Sequence, residues 1–183
     1  FKKRGGELFI FEGNPVQVVR QLLREGDVSG VYVNRDYTPF SRRRDQALKS
    51  ACAEFGAPFH RSNDLLLTEP ENVQPNGGGA YHTFSPFRRR AQSQSVSRPE
   101  GDAQGPFYDG PVSIETVHLG KYDSHLTNGT MVKGGRDEGK AILGRINKLT
   151  NYRDNRHRPS KPSYTGLSAH HKFGTVSVRE SLK

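Results

Sequence analysis

Apolar and polar positions along the first part of the chain switch repeatedly between a short unbroken run and a helical period. Leu8-Phe9-Ile10-Phe11 is an apolar run of the kind that forms a buried strand. Asn14 and Pro15 then supply a helix N-cap and a first-turn residue. Val16, Val19, Leu22 and Leu23 share one helical face, and Gly26 is placed to end the helix. Gly30-Val31-Tyr32-Val33 predicts the next strand. A second helix is predicted from about Ser41 to Phe55, with Ala47, Leu48, Ala51, Cys52 and Phe55 on its apolar side. Pro58-Phe59-His60 predicts a short third strand, and Leu65-Leu66-Leu67 a further strand or a turn. Strands alternating with helices at this spacing imply a parallel, Rossmann-like α/β sheet with crossover connections. Such sheets are covered on both faces. The elements predicted here would leave one face bare, so further elements are expected ahead of Phe1.

From about Pro70 the pattern changes. Asn76-Gly77-Gly78-Gly79 predicts a flexible loop, and residues 88–112 are rich in Arg, Ser, Gln, Gly and Pro with almost no apolar periodicity. A helical signal returns near Asp137, with Ala141, Ile142, Ile146 and Leu149 in phase, although Gly139 and Gly144 lower its propensity. Two short helices are predicted around Leu167–Phe173 and Val178–Leu182, the second capped by Ser177 with Glu180 three residues on. This divides the chain into an α/β part at 1–87, an interdomain linker at 88–133, and a helical part at 134–183.

Composition sharpens this picture in three ways. Only 32% of the 183 residues are hydrophobic, against 20 glycines and 11 prolines, which fits a chain with an irregular stretch. Cys52 is the single cysteine, so no internal disulfide forms and an intracellular setting is expected. Its place in an apolar helical pattern predicts a buried, inert thiol. No apolar run approaches the ~20 residues that span a bilayer. Lys and Arg total 28 against 19 acidic residues, a net charge of +9, which favours a polyanionic partner.

Three separated stretches resemble the DNA photolyase/cryptochrome family, in the order that family has them. The first is Val31-Tyr32-Val33-Asn34-Arg35-Asp36-Tyr37-Thr38-Pro39 followed by Arg44-Asp45, similar to the strand, turn and helix start of class I photolyase N-terminal domains. The second is Leu65-Leu66-Leu67-Thr68-Glu69-Pro70 with Tyr81-His82-Thr83-Phe84-Ser85-Pro86-Phe87. The third runs from Gly134-Gly135-Arg136 through Tyr152 and Arg156 to Thr165-Gly166-Leu167-Ser168-Ala169-His170-His171-Lys172-Phe173-Gly174-Thr175-Val176-Ser177. The resemblance implies part of a photolyase-type α/β domain, a long linker, and the first helices of an all-α FAD-binding domain. It further implies a flavin-dependent DNA photolyase acting on pyrimidine dimers in UV-damaged DNA, or alternatively a cryptochrome-type blue-light photoreceptor. In that family the lesion is flipped out of the duplex into the flavin pocket.

The resemblance also assigns residues. Tyr152 matches a family tyrosine that touches FAD. Tyr164, Thr165, Gly166, Leu167 and Ser168 match the Thr-Ser-x-Leu-Ser stretch that holds the flavin diphosphate, with Tyr164 in place of the first hydroxyl residue. Arg156 matches an arginine that contacts the DNA backbone. Each has a plainer reading: Thr165 and Ser168 as helix caps, Arg156 as part of a solvated loop in Arg153-Asp154-Asn155-Arg156-His157-Arg158, and Asn34 and Asp36 as turn residues. Arg88-Arg89-Arg90 reads as a solvated charge run or a phosphate contact. His170 and His171 point about 100° apart on a helix and make a poor metal pair. No antenna chromophore is assigned. The rest of the FAD cavity, the lesion pocket and the family's tryptophan chain are implied to lie beyond Lys183, and this chain has no Trp. Alone it is expected to be inactive.

Overall fold

Asn14 opens the first helix as its side chain reaches forward: Oδ1 accepts the N–H of Val16 at 2.9 Å and of Gln17 at 3.4 Å, with Pro15 fixing the first turn. In the computed structural model, α1 runs Pro15–Arg24, β1 Val31–Asn34, α2 Pro39–Glu54, β2 Phe59–Ser62 and α3 Phe84–Gln92. Beyond these come α4 Arg136–Arg145, α5 Tyr152–Asn155 and α6 Leu167–Lys172. The structure describes residues 5–26, 28–99, 101, 106–125, 132–149, 152–155, 157–158 and 165–182. They fall into two units, residues 1–62 with 101–128, and residues 63–100 with 129–183.

The first unit is built on a β1–α2–β2 crossover. β1 and β2 pair in parallel, with Val31 opposite Phe59 and Tyr32 opposite His60. α1 and α2 pack on one another, and Leu23, Leu48, Ala51 and Cys52 form the buried apolar positions. On the strands, Val31, Val33 and Phe59 are half-buried, while Tyr32, Asn34, His60 and Ser62 are exposed. Tyr32 stacks on His60 with ring centroids 4.7 Å apart. α2 begins earlier than the apolar period predicts because Thr38 caps it: Thr38 Oγ1 accepts the Ser41 N–H at 3.2 Å, and Pro39 follows as the first helical residue. Asp36 serves this turn, accepting from the Thr38 N–H at 3.1 Å and the Ser41 hydroxyl at 3.1 Å. Two polar side chains that the periodicity left out, Ser41 and Asp45, are buried on α2, Asp45 against Arg44 at 2.7 Å.

One predicted strand is absent. Residues 8–11 are irregular, and Leu8 is exposed. Their backbone partners are isolated: Glu7 N–H donates to the Tyr108 carbonyl at 3.2 Å and Val117 N–H to the Ile10 carbonyl at 2.8 Å. The neighbouring segment is itself irregular, so no ladder propagates. Leu65–Leu67 forms a turn rather than a strand, and α3 continues to Gln92, which places Arg88, Arg89 and Arg90 on a helix.

Candidate functional site

The second unit centres on α4, α6 and the turn after α6. Gly139 is the buried residue of α4. A Cβ there would stand 2.4 Å from Val176 Cγ2 and 3.0 Å from His170 Nδ1, so the missing side chain is what lets the two segments meet. Val176 is fully buried and His170 nearly so. The Thr175 hydroxyl oxygen lies 2.7 Å from His170 Nδ1 and 3.3 Å from the His170 carbonyl oxygen. Nε2 is buried and finds no hydrogen-bond partner among the described residues.

The turn after α6 is closed by a reciprocal cap. Glu180 Oε2 accepts the Ser177 N–H at 2.9 Å, and Ser177 Oγ accepts the Arg179 N–H at 3.2 Å. Ser177 Oγ also donates to Asp64 Oδ1 at 3.0 Å, an oxygen shared with Arg179 Nη1 at 2.9 Å. Arg136, the first residue of α4, grips Glu180 with two nitrogens at 2.7 and 3.1 Å. That guanidinium, with the Ser177 N–H and despite partial burial, holds the Glu180 carboxyl down to about 2. On the other side of α6, His171 Nε2 lies 2.8 Å from Ser181 Oγ. None of these contacts except the Ser177–Glu180 pair was visible in the sequence, since each joins positions far apart or depends on which face of a short helix is buried.

Of the predicted site residues, Thr165, Gly166, Leu167 and Ser168 are contiguous at the start of α6. Gly166 takes a left-handed conformation (φ 75°), and Thr165 Oγ1 accepts the Leu167 N–H at 3.3 Å. Leu167 is buried and anchors the turn, while Ser168 is exposed. Gly166 provides no side-chain cap. The N–H groups of Ser168 and Ala169 therefore have no carbonyl within the helix to donate to. Those two N–H groups and the hydroxyls of Thr165 and Ser168 are the kinds of donor that suit phosphate oxygens. Tyr152 opens α5, with its side chain exposed. Among the described residues no hydrogen bond or ring contact joins Tyr152 to the 165–168 segment. Tyr164 and Arg156 lie outside the described residues. No group of three or more His, Cys, Asp or Glu among the described residues could hold a metal ion, and no described helix is long and apolar enough to cross a membrane.

A dinucleotide cofactor needs hydrogen-bond donors for its diphosphate, and the 165–168 turn has that chemistry. The fit is to the phosphates. The short helix adds little dipole of its own.

Comparison with known proteins gives the chain its family. The DNA photolyase family model matches residues 1–104. A deoxyribodipyrimidine photo-lyase from Agrobacterium fabrum is 27% identical over 192 residues, covering 96% of this chain and 39% of its own length. Among solved structures, an archaeal photolyase from Sulfolobus tokodaii, crystallised with two FAD molecules, matches with a TM-score of 0.78 at 29% identity, over 98% of this chain and 39% of that one. A cryptochrome from Synechocystis shares the fold, with a TM-score of 0.81 at 19% identity over 99% of this chain and 40% of that one. The parallel α/β arrangement is that of the photolyase N-terminal domain, and the chain belongs to the DNA photolyase family, whose members here are photolyases and cryptochromes. It spans about two fifths of the length of these relatives.

Proposed function

We propose that this chain is part of a flavin-dependent DNA photolyase that repairs pyrimidine dimers in UV-damaged DNA. The observation that carries this reading is the alignment with a deoxyribodipyrimidine photo-lyase along 96% of the chain. FAD, when bound, supplies the light-driven electron that splits the dimer. The chain's own contribution is binding. Thr165, Gly166, Leu167 and Ser168 form one wall of the diphosphate site: the two hydroxyls and the Ser168 and Ala169 N–H groups donate to phosphate oxygens, and buried Leu167 fixes the turn. The family resemblance assigns Tyr164 to the same site, and Tyr152 offers an exposed ring to the cofactor. Arg156 contacts the DNA backbone, in keeping with the net charge of +9. The domain reading that goes with this is an α/β part at 1–87, a linker at 88–133 and the start of a helical flavin domain at 134–183.

One wall does not enclose a cofactor, since small-molecule sites bury roughly 70–90% of their ligand. The chain alone is accordingly inactive in repair. The gene product that carries this chain, purified with FAD, reverses dimers in UV-irradiated DNA under blue light and not in the dark. Tight flavin binding with dimers left intact in the light would move the assignment to a cryptochrome-type photoreceptor.

A further inference from the structure

α6 has six residues, too few to hold a helix by its own hydrogen bonds, so its direction is set by what it rests on. Leu167 and His170 are three positions apart and both are buried, which makes theirs the packed face of the helix. The support is α4, whose Gly139 and Ile142 are likewise three apart. A Cβ at Gly139 would stand 3.0 Å from His170 Nδ1, and a Cβ at Gly166 would stand 3.9 Å from Ile142 Cδ1. The segment therefore meets α4 at two points, Gly166 of the 165–168 turn over Ile142 and, one helical turn on, His170 against Gly139.

His170 is the polar member of this contact. Its carbonyl accepts the Thr175 N–H at 3.0 Å and its Nδ1 lies 2.7 Å from the Thr175 hydroxyl oxygen, so backbone and ring hold the same residue across the turn after α6. Thr175 is held in its turn by Arg136, the first residue of α4, whose Nη1 donates to the Thr175 carbonyl at 3.1 Å. An apolar side chain could fill the notch at Gly139 without burying Nε2, which has no hydrogen-bond partner among the described residues. A buried ring nitrogen left unpaired costs stability. What the imidazole adds is the bond at Nδ1, which fixes how α6 is turned about its own axis. We propose that His170 is a positioning residue for the diphosphate wall: through Thr175 and Arg136 it sets the rotation of α6 on α4, and so the direction of the donors at Thr165–Ala169. This rests on the reading of the 165–168 turn as a phosphate site.

Two substitutions pull packing and hydrogen bonding apart. His170→Leu fills much of the ring's space and removes both Nδ1 and the unpaired Nε2, while the Thr175 hydroxyl retains the backbone carbonyl of residue 170 at 3.3 Å. His170→Asn keeps a polar atom in the place of Nδ1 and leaves a void beside Gly139. Urea unfolding reads the stability of each variant, and ADP titration of the isotopically labelled chain, followed at the 165–169 amides, reads the turn. His170→Leu should show an unchanged or higher urea midpoint and lose the saturable ADP shifts. His170→Asn should show a lower midpoint and keep them. A His170→Leu midpoint below that of the wild-type chain, or ADP shifts that both variants keep, that both lose, or that survive only in His170→Leu, would overturn the role of His170 and leave the phosphate reading standing. Absence of ADP shifts at 165–169 in the wild-type chain would overturn that reading and the proposal with it.

Discussion

Replacing Gly139 with alanine separates two effects that have opposite signs. Alanine is favoured over glycine in a helix interior by about 1 kcal/mol, so on propensity alone the variant gains stability. In the structure, however, the new Cβ would lie 2.4 Å from Val176 Cγ2 and 3.0 Å from His170 Nδ1. Carbon atoms pack at about 3.5–4.0 Å, so the first contact is more than an ångström too short. Val176 is fully buried and cannot rotate into solvent. Overpacking of this kind costs about 1–3 kcal/mol, so the net effect lies between neutral and about 2 kcal/mol destabilising. Gly144 lies on the same helix with nothing within 4 Å of its would-be Cβ. Gly144→Ala therefore reports the propensity gain without the clash, up to about 1 kcal/mol and less if the helix end frays. Urea unfolding followed by far-UV circular dichroism gives both midpoints at constant slope. The expected result is a higher midpoint for Gly144→Ala and an unchanged or lower one for Gly139→Ala. In the Gly139→Ala background, Val176→Ala should cost less than it does alone, because the new methyl fills the vacated space. Equal upward shifts for both glycine variants would refute the packing argument.

Two further outcomes follow from local chemistry. The Glu180 carboxyl sits at about 2 in the folded chain against an ordinary 4.5, so its contribution is present above 4.5 and is lost as pH falls towards 2. Glu180→Gln should lower the urea midpoint at pH 7 and flatten its fall between pH 4.5 and 2, with the two proteins converging at the acid end; parallel curves would contradict the Arg136 pairing. Burial raises the Cys52 thiol above its usual range, and the residue is 1% exposed. A thiol reagent at neutral pH should label it only as fast as the first unit opens, and immediate stoichiometric labelling would contradict its place in the core.

What the sequence made legible was local. Asn14, Pro15 and Gly26 bound α1 because capping chemistry acts over a few residues, and the same holds for Ser177 with Glu180. The β1 and β2 strands were read from short apolar runs, and the bare face predicted for their sheet corresponds to exposed Tyr32 and His60. Leu8–Phe11 misled because an apolar run specifies burial without specifying a partner, and the segments it meets around Tyr108 and Val117 form no ladder. Gly139 was read as a weak point in a helix when it is the seat of a tertiary contact, a distinction propensity cannot make. The Arg179–Asp64 and Arg136–Glu180 pairs join residues more than forty positions apart, beyond any local pattern. The full length of α3 was hidden by three successive arginines, which read as the start of a linker. Within the 165–168 turn, which the family resemblance assigns to the cofactor, the left-handed Gly166 and the Thr165–Leu167 hydrogen bond were not legible in the sequence.

The central claim is that this turn is a diphosphate wall, and the most direct test is to titrate the isotopically labelled chain with ADP, FAD and riboflavin while following backbone amide shifts. The account predicts weak, saturable shifts concentrated at Thr165–Ala169 for ADP and FAD, none there for riboflavin, which lacks phosphate, and their loss in the Thr165→Ala, Ser168→Ala double variant. Shifts centred elsewhere, or a 165–169 segment unmoved by millimolar ADP, would contradict it.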